Sequence, residues 1–493
     1  MELKVKILGF LAGKPIAILN EKTADKINVH VSERINISKG KKDVISLIDT
    51  ALSIIKEKEV AVSDEIVKEL KLKQGEKVEV SLAREPESTI FIRKKLDCKT
   101  LDKQEIKEII KDIVGNALTE AEIAYFVSSI YKCGMSMEEI ENMIKAIVST
   151  GKTIKLKGKV VDKHSIGGVA GNRTTPIVVS ICAATGLIMP KTSSRAITSA
   201  AGTADDIEAI ARIEFSIKDL KKIVKKTNAC MIWGGALKLS PADDKIIQIE
   251  RILNLDPESQ LLVSILSKKI SVGSKYVVID IPHGKGAKVD KERAIILKKN
   301  FEKLAKKFNM KLKAFLTDGS QPIGRGIGPL LEIRDIISIL NRNVNSPKDL
   351  EEKSLFLAGK ILELSGKAKK SKGIKLAKKI LDSGQALEKF HQIIKAQEGE
   401  VPTISEIESR LGKFKKHILA TKSSKIKSID NKKTNLLGSI AGSPMDKGAG
   451  IDLYKHVGDN VKKGEKILTI YSDSRIRMRD ALSFYKKFKP IRY

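Results

Sequence analysis

The chain has 493 residues, of which 42% are hydrophobic and only 4% aromatic, so it is too long for one ordinary core and predicts about three domains packed with Ile, Leu, Val and Ala. No apolar run approaches the ~18 residues that cross a bilayer, and the opening Met1 to Lys14 has no small-residue cleavage site, which predicts a cytoplasmic protein without membrane partners. The formal net charge of +32 fits two readings: a nucleic-acid binder that releases counterions from phosphates, or a surface of solvated lysines. The lysines fall at helical spacing among apolar residues, as in Leu297 to Lys313, and there is little aromatic interleaving for base stacking, so no dedicated nucleic-acid partner is predicted. Cys98, Cys133, Cys182 and Cys230 form no CxxC pair, which argues against a zinc site and against a disulfide framework.

Residues 1–86 alternate apolar and polar positions between Gly, Asn and Lys turns, as in Leu3 to Ile7 and Lys77 to Leu82, with one short helix near Ser63 to Leu72. They read as an N-terminal β-rich domain closed by Arg84-Glu85-Pro86. The next domain, 87–160, is helical: the period predicts Gln104 to Gly115, Thr119 to Cys133 and Ser136 to Ser149. Thr119 with Glu122, and Ser136 with Glu139, have the spacing of capping boxes. Helices within about 240–270 are expected to complete this domain.

Over 161–412 short apolar strands alternate with amphipathic helices, for example Lys275 to Ile281, then Asp290 to Phe308, then Lys313 to Leu316. That alternation predicts an α/β domain on a mostly parallel sheet. Lys413 to Lys433 is Lys/Ser-rich and reads as a boundary; beyond it, Leu437 to Ser472 reads as short β segments, giving a C-terminal β-rich domain over 413–493.

Two segments carry chemistry. In Asp162-Lys163-His164-Ser165-Ile166-Gly167-Gly168-Val169-Ala170-Gly171-Asn172-Arg173-Thr174-Thr175-Pro176 a strand enters a glycine-bearing loop, and Pro176 opens a helix. Free N–H groups there, with Lys163 and the Ser165 and Thr174 hydroxyls, suit a phosphate, although the pattern is neither a Walker A nor a GxGxxG. The second segment, Ser193-Ser194-Arg195-Ala196-Ile197-Thr198-Ser199-Ala200-Ala201-Gly202-Thr203, gathers hydroxyls and small residues before a helix near Ala204. An ordinary Ser/Thr-rich cap has the same composition. No His/Asp/Glu cluster has metal-ligand spacing, so neither a metal nor a cofactor is expected.

Together these two segments resemble the paired phosphate-binding motifs of the thymidine/pyrimidine-nucleoside phosphorylase family. MIWGGALKLSPADDK from Met231, VSILSKK from Val263, VIDIPHGKGAK from Val278 and LTDGSQPIGRGIGPLLE from Leu316 follow in the family's order. The resemblance covers roughly residues 100–490. It implies a small helical domain beside a larger α/β domain of the nucleoside phosphorylase/phosphoribosyltransferase type, with the site in the cleft between them, and a homodimer or larger homo-oligomer. It also implies phosphate as a substrate, bound through Lys163, Ser165, Gly168, Ser194, Arg195, Ala196, Ile197, Thr198, Ser199 and Thr203.

Several positions depart from the nucleoside-specific members. Ser194 stands where they have Gly, Ser199 to Thr203 replaces a His-Thr-Gly-Gly-Thr run, and Lys288 replaces a Phe. They have a Gln at or next to Gly235, and Arg251 is out of register with their base-gripping arginine by about one residue. With the extra N-terminal domain, these changes resemble the branch that acts on nucleoside 5′-monophosphates such as AMP, yielding free base and ribose 1,5-bisphosphate; CMP and UMP stay open as substrates. Asp256, in Asn254-Leu255-Asp256-Pro257, is then the general acid for the departing base, Ser264 meets the base edge and Lys288 reaches the nucleotide. Asp256 as a simple cap of the Pro257 helix, Ser264 bonded backward in its helix, and Lys288 as one more solvated lysine are the plainer readings of the same residues. A pyrimidine-nucleoside phosphorylase and, from another class, a basic nucleic-acid-binding protein are the competing functions.

Overall fold

In the computed structural model every residue is described except Ile197 and Thr198. The chain divides into two compact units, Met1–Gly151 with Ser240–Ser264, and Lys152–Leu239 with Ile265–Tyr493.

The first unit begins with a closed barrel. Its strands are β1 (Glu2–Ile7), β2 (Ile16–Asn20), β3 (Arg34–Lys39), β4 (Lys42–Ala51), β5 (Glu59–Val62) and β6 (Lys77–Leu82), in the order β1-β5-β2-β4-β3-β6. Alternation dictates this: Leu3 and Val5, Ile35 and Ile37, and Val78 and Val80 point inward to a common core while the residues between them face outward. A short helix at Asp64–Leu70 interrupts the strands as expected, and a second at Glu21–Lys26 has no signal in the apolar pattern.

Helices follow at Ser88–Leu96, Lys103–Val114, Glu120–Cys133 and Met137–Thr150, with Pro241–Leu253 in the same unit. Thr119 and Ser136 accept hydrogen bonds from the N–H groups of Glu122 and Glu139, so both capping boxes form. A buried ion pair, Lys95 Nζ to Glu139 Oε1 at 2.7 Å, ties the helices together, and Glu139 also accepts the Leu101 N–H. Lys245 Nζ donates to the Ile113 carbonyl at 2.7 Å, closing the C-terminal end of helix Lys103–Val114 with a cation.

The cysteine expectation fails here. Cys98 and Cys133 form a disulfide, 35 residues apart in sequence, while Cys182 and Cys230 are buried thiols. Sequence spacing could not show it, because the two sulfurs meet only when the C-terminal ends of helices Ser88–Leu96 and Glu120–Cys133 are packed side by side.

The second unit is built on parallel strands. Val161–Ser165, Tyr276–His283 and Lys311–Asp318 form one sheet with Tyr276–His283 central, and Met189–Ser193 pairs with Ala229–Trp233 beside it through a bridge from Val160 to Ile188. The central strand is buried from Val277 to Pro282, a run apolar apart from Asp280, as in a strand covered on both faces. Helices such as Thr174–Ala184, Pro329–Leu340, Lys348–Leu364 and Gln385–Ala396 supply the cover. Helix Lys291–Lys307 starts where the sequence places it, with Asp290 as its N-cap.

The C-terminal part of this unit is strand-rich, with an antiparallel sheet of Gly326–Ile327, Gly450–Leu453, Lys466–Ser472 and Phe414–Leu419. Two local expectations are corrected. The stretch taken as a boundary contains strand Phe414–Leu419, and Leu437 to Ala441 ends a helix, Asn431–Ala441, rather than opening a β segment. Gly438 hid that helix in the sequence. It is there because a Cβ would fall 2.9 Å from the Ala200 Cβ.

Candidate functional site

Strand Val161–Ser165 delivers the first segment to the edge of the parallel sheet. Lys163 is buried and its Nζ donates to Thr174 Oγ1 at 2.6 Å, at the start of helix Thr174–Ala184. Burial pushes its pKa down to about 8, with the nearby Lys353 and Arg173 charges adding to the fall and Asp280 opposing it. Ser165 Oγ accepts from the Gly167 N–H and from Asn172, each at 3.4 Å. Gly168 has φ +89°, and a Cβ on it would lie 2.9 Å from the Lys288 Cβ. The glycine therefore lets Lys288 pack directly against the first loop, so these two sequence-predicted residues come together.

Beneath the loop, Asp162 is fully buried, with Lys269 Nζ at 2.7 Å and Lys191 Nζ at 3.6 Å. Burial pushes the Lys269 pKa down, Asp162 resists that fall, and the two lysines hold Asp162 ionised against its own burial. His164, on the same strand, is kept well below the usual histidine range by burial and by Lys269 and Lys191. It is a neutral imidazole at physiological pH and not a ready proton donor.

The second segment folds around Asp205, whose Oδ2 accepts the Ala196 and Gly202 N–H groups at 2.7 and 2.8 Å. Arg195 forks onto Glu208 at 2.7 Å through both terminal nitrogens and lies over the Trp233 ring, so its guanidinium is engaged within the protein. Ser199 Oγ donates to the Ala201 carbonyl at 2.6 Å. Thr203 Oγ1 receives a hydrogen bond from Arg173 at 3.3 Å. Ser194 contributes its carbonyl to the tight approach that requires Gly202. Ile197 and Thr198 lie outside the described residues.

Sequence reasoning missed the supports of both segments. Asn431 Oδ1 accepts the Ala170 N–H at 3.0 Å while its amide donates to the Gly319 carbonyl, and Asn435 Oδ1 accepts the Ala200 N–H at 3.2 Å. Both asparagines are buried on helix Asn431–Ala441. Two asparagines one turn apart inside a helix, where that residue type is a weak former, were the available signal.

Asp256 and Ser264 belong to the first unit. Asp256 is exposed between helix Pro241–Leu253 and helix Glu258–Ser271, next to the buried Pro257. Ser264 Oγ donates to Asp243 Oδ2 at 2.9 Å, and Gln260 bonds the other oxygen of the same carboxylate. The Ser264 hydroxyl thus reaches across to the neighbouring helix.

The comparisons with known proteins place this chain, with its glycine-bearing loop after a parallel strand and its second hydroxyl-rich segment, in a glycosyl-transfer class of protein. The family models described as "Glycosyl transferase family, helical bundle domain", "Glycosyl transferase family, a/b domain" and "Pyrimidine nucleoside phosphorylase C-terminal domain" match residues 89–151, 157–387 and 426–491. The AMP phosphorylase of Methanococcus maripaludis strain C6 is 43% identical over 99% of this chain and 97% of its own length. That of Thermococcus kodakarensis is 42% identical over 100% and 98%, and that of Methanocaldococcus jannaschii 41% over 99% and 97%. The crystal structure of anthranilate phosphoribosyltransferase from Thermus thermophilus shares the fold, with a TM-score of 0.52 at 16% identity, covering 62% of this chain and 99% of that one. The chain belongs to this glycosyl transferase family, in the group that holds the AMP phosphorylases.

Proposed function

We propose that this protein is an AMP-cleaving phosphorylase: it transfers the ribosyl 5-phosphate of a nucleoside 5′-monophosphate from the base to inorganic phosphate. An oxygen of phosphate attacks C1′, the bond from C1′ to the base breaks, and the products are free base and ribose 1,5-bisphosphate. The observation that carries the reading is the presence of two anion-suited segments in one unit, 163–174 and 194–203, both tied to helix Asn431–Ala441. Two anions must be held at once, the attacking phosphate and the 5′-phosphate of the nucleotide.

The residues take distinct parts in this reading. Lys163 supplies positive charge beneath the first segment and hands a hydrogen bond to Thr174, whose own O–H is left to donate to a phosphate oxygen. Lys288, packed on Gly168, brings an ammonium to the nucleotide. Ser165, Gly168, Ser194 to Ser199 and Thr203 line the two anions. Asp256 gives the proton that the departing base needs. Positioning and fixed charge account for most of the rate in such a reaction. The same reading has a cytoplasmic homodimer or larger homo-oligomer working without a cofactor.

A substrate panel tests it. With phosphate present, the protein is expected to release adenine from AMP far faster than from adenosine, and to leave thymidine nearly untouched. Thymidine turnover equal to or above that of AMP would return the chain to the nucleoside-specific branch. Steep, salt-sensitive binding of nucleic acid with no base release would make it a binder instead.

A further inference from the structure

We propose that Arg173 is a positioning residue of the anion site, fixing Thr203 so that its hydroxyl presents a proton to the bound anion. This rests on the reading of Thr203 as an anion contact. Arg173 leaves the first segment and reaches the second: Nη1 donates to Thr203 Oγ1 at 3.3 Å and Nη2 to the Ala201 carbonyl at 2.8 Å. A guanidinium has five donors and no acceptor. Thr203 Oγ1 can therefore only accept from it, and the threonine's own O–H is left to point at another acceptor. The Ala201 carbonyl, which would repel an anion if it turned outward, is occupied by Arg173 and by the Ser199 hydroxyl together.

The arginine is itself held from behind. Its Nε faces Asp206 Oδ2 at 2.6 Å and also bonds Glu332 Oε2, and Glu332 Oε1 accepts the Gly328 N–H. Asp206 and Glu332 are both fully buried, and burial, with the neighbouring carboxylates adding to it, raises the pKa of each while the guanidinium stays charged. Two carboxylates on one cation fix the plane of the fork, and with it the direction of both forward hydrogen bonds. A lysine would keep the charge and lose that geometry.

The test is a double-mutant cycle on the full chain, with kcat and KM measured for AMP and for phosphate and the thermal midpoint recorded for each variant. Thr203→Val removes the hydroxyl and is expected to raise one of the two KM values about 10- to 100-fold, the worth of a hydrogen bond to a charged group. Arg173→Lys is expected to raise the same KM over a similar range, with kcat at saturation changed less than about fivefold. Combined, the two changes should cost no more than about threefold beyond Thr203→Val alone, because the arginine acts through that hydroxyl. Thr203→Ser, which keeps the hydroxyl, should restore KM to within about twofold of the parent.

Effects that multiply would overturn the positioning role. An unchanged KM in Thr203→Val would overturn the reading of Thr203 beneath it, whereas adenine release by the parent tests the function itself. If Arg173→Lys does not fold, the charge-balanced Arg173→Gln/Asp206→Asn takes its place in the cycle with the same expectation, and multiplicative loss there also overturns the proposal.

Discussion

Asn431 and Asn435 stand one helical turn apart, and each accepts a backbone N–H from a different one of the two segments proposed to hold anions, Ala170 at 3.0 Å and Ala200 at 3.2 Å. One short helix near the C-terminus thereby sets the separation of two loops that lie 30 residues apart in the chain.

Asn435→Ala leaves the Ala200 N–H buried without that acceptor, at a cost of about 1–3 kcal/mol. The expected result is a lower thermal midpoint together with a higher KM for AMP or for phosphate. A midpoint and KM both equal to the parent's would show that the helix does not brace the second segment.

Lys163 gives a pH prediction. Its folded pKa, about 8, lies below the ordinary lysine value of 10.5. The charged form therefore costs folding stability below about pH 8, and that cost fades as the pH rises from 8 towards 10.5. Activity runs the other way, since only the ammonium attracts an anion: kcat/KM for phosphate should fall as the pH rises through about 8. Lys163→Arg stays charged, so its profile should lose that alkaline limb. A limb retained in the variant would assign it to another group.

Asp256→Asn keeps the size and the hydrogen-bonding shape of the side chain but cannot deliver a proton. The expectation is a fall in kcat of roughly 10²- to 10⁴-fold with an unchanged thermal midpoint. Were Asp256 only a cap for the Pro257 helix, asparagine would serve nearly as well and activity would stay within a few-fold.

The disulfide makes a simple titration decisive. Denatured without reductant, the protein should show two free thiols, those of Cys182 and Cys230, and four after reduction. Joining Cys98 to Cys133 constrains the unfolded chain, so Cys98→Ser/Cys133→Ser should cost about 2–4 kcal/mol of stability. Four thiols before reduction would contradict the pairing.

What the sequence made legible was local. Capping boxes at Thr119 and Ser136, the Asp290 cap and the buried run of strand Tyr276–His283 are set within a few residues, and they are where the pattern puts them. The two segments proposed to hold anions stand out for the same reason, since glycines and hydroxyls cluster there in sequence. The supports were not, because Arg173 with Glu332, Lys269 with Asp162 and Asn435 with Ala200 are contacts between distant parts of the chain. Nothing in the spacing of two cysteines 35 residues apart distinguishes a pair from two thiols.

The central claim is that phosphate, not water, takes the ribosyl group. AMP incubated with the protein and ¹⁸O-labelled phosphate tests this most directly, with the sugar product examined by mass. The account predicts adenine in equal amount to a ribose bisphosphate that carries one labelled and one unlabelled phosphate. Ribose 5-phosphate without label, formed at the same rate whether or not phosphate is present, would contradict it.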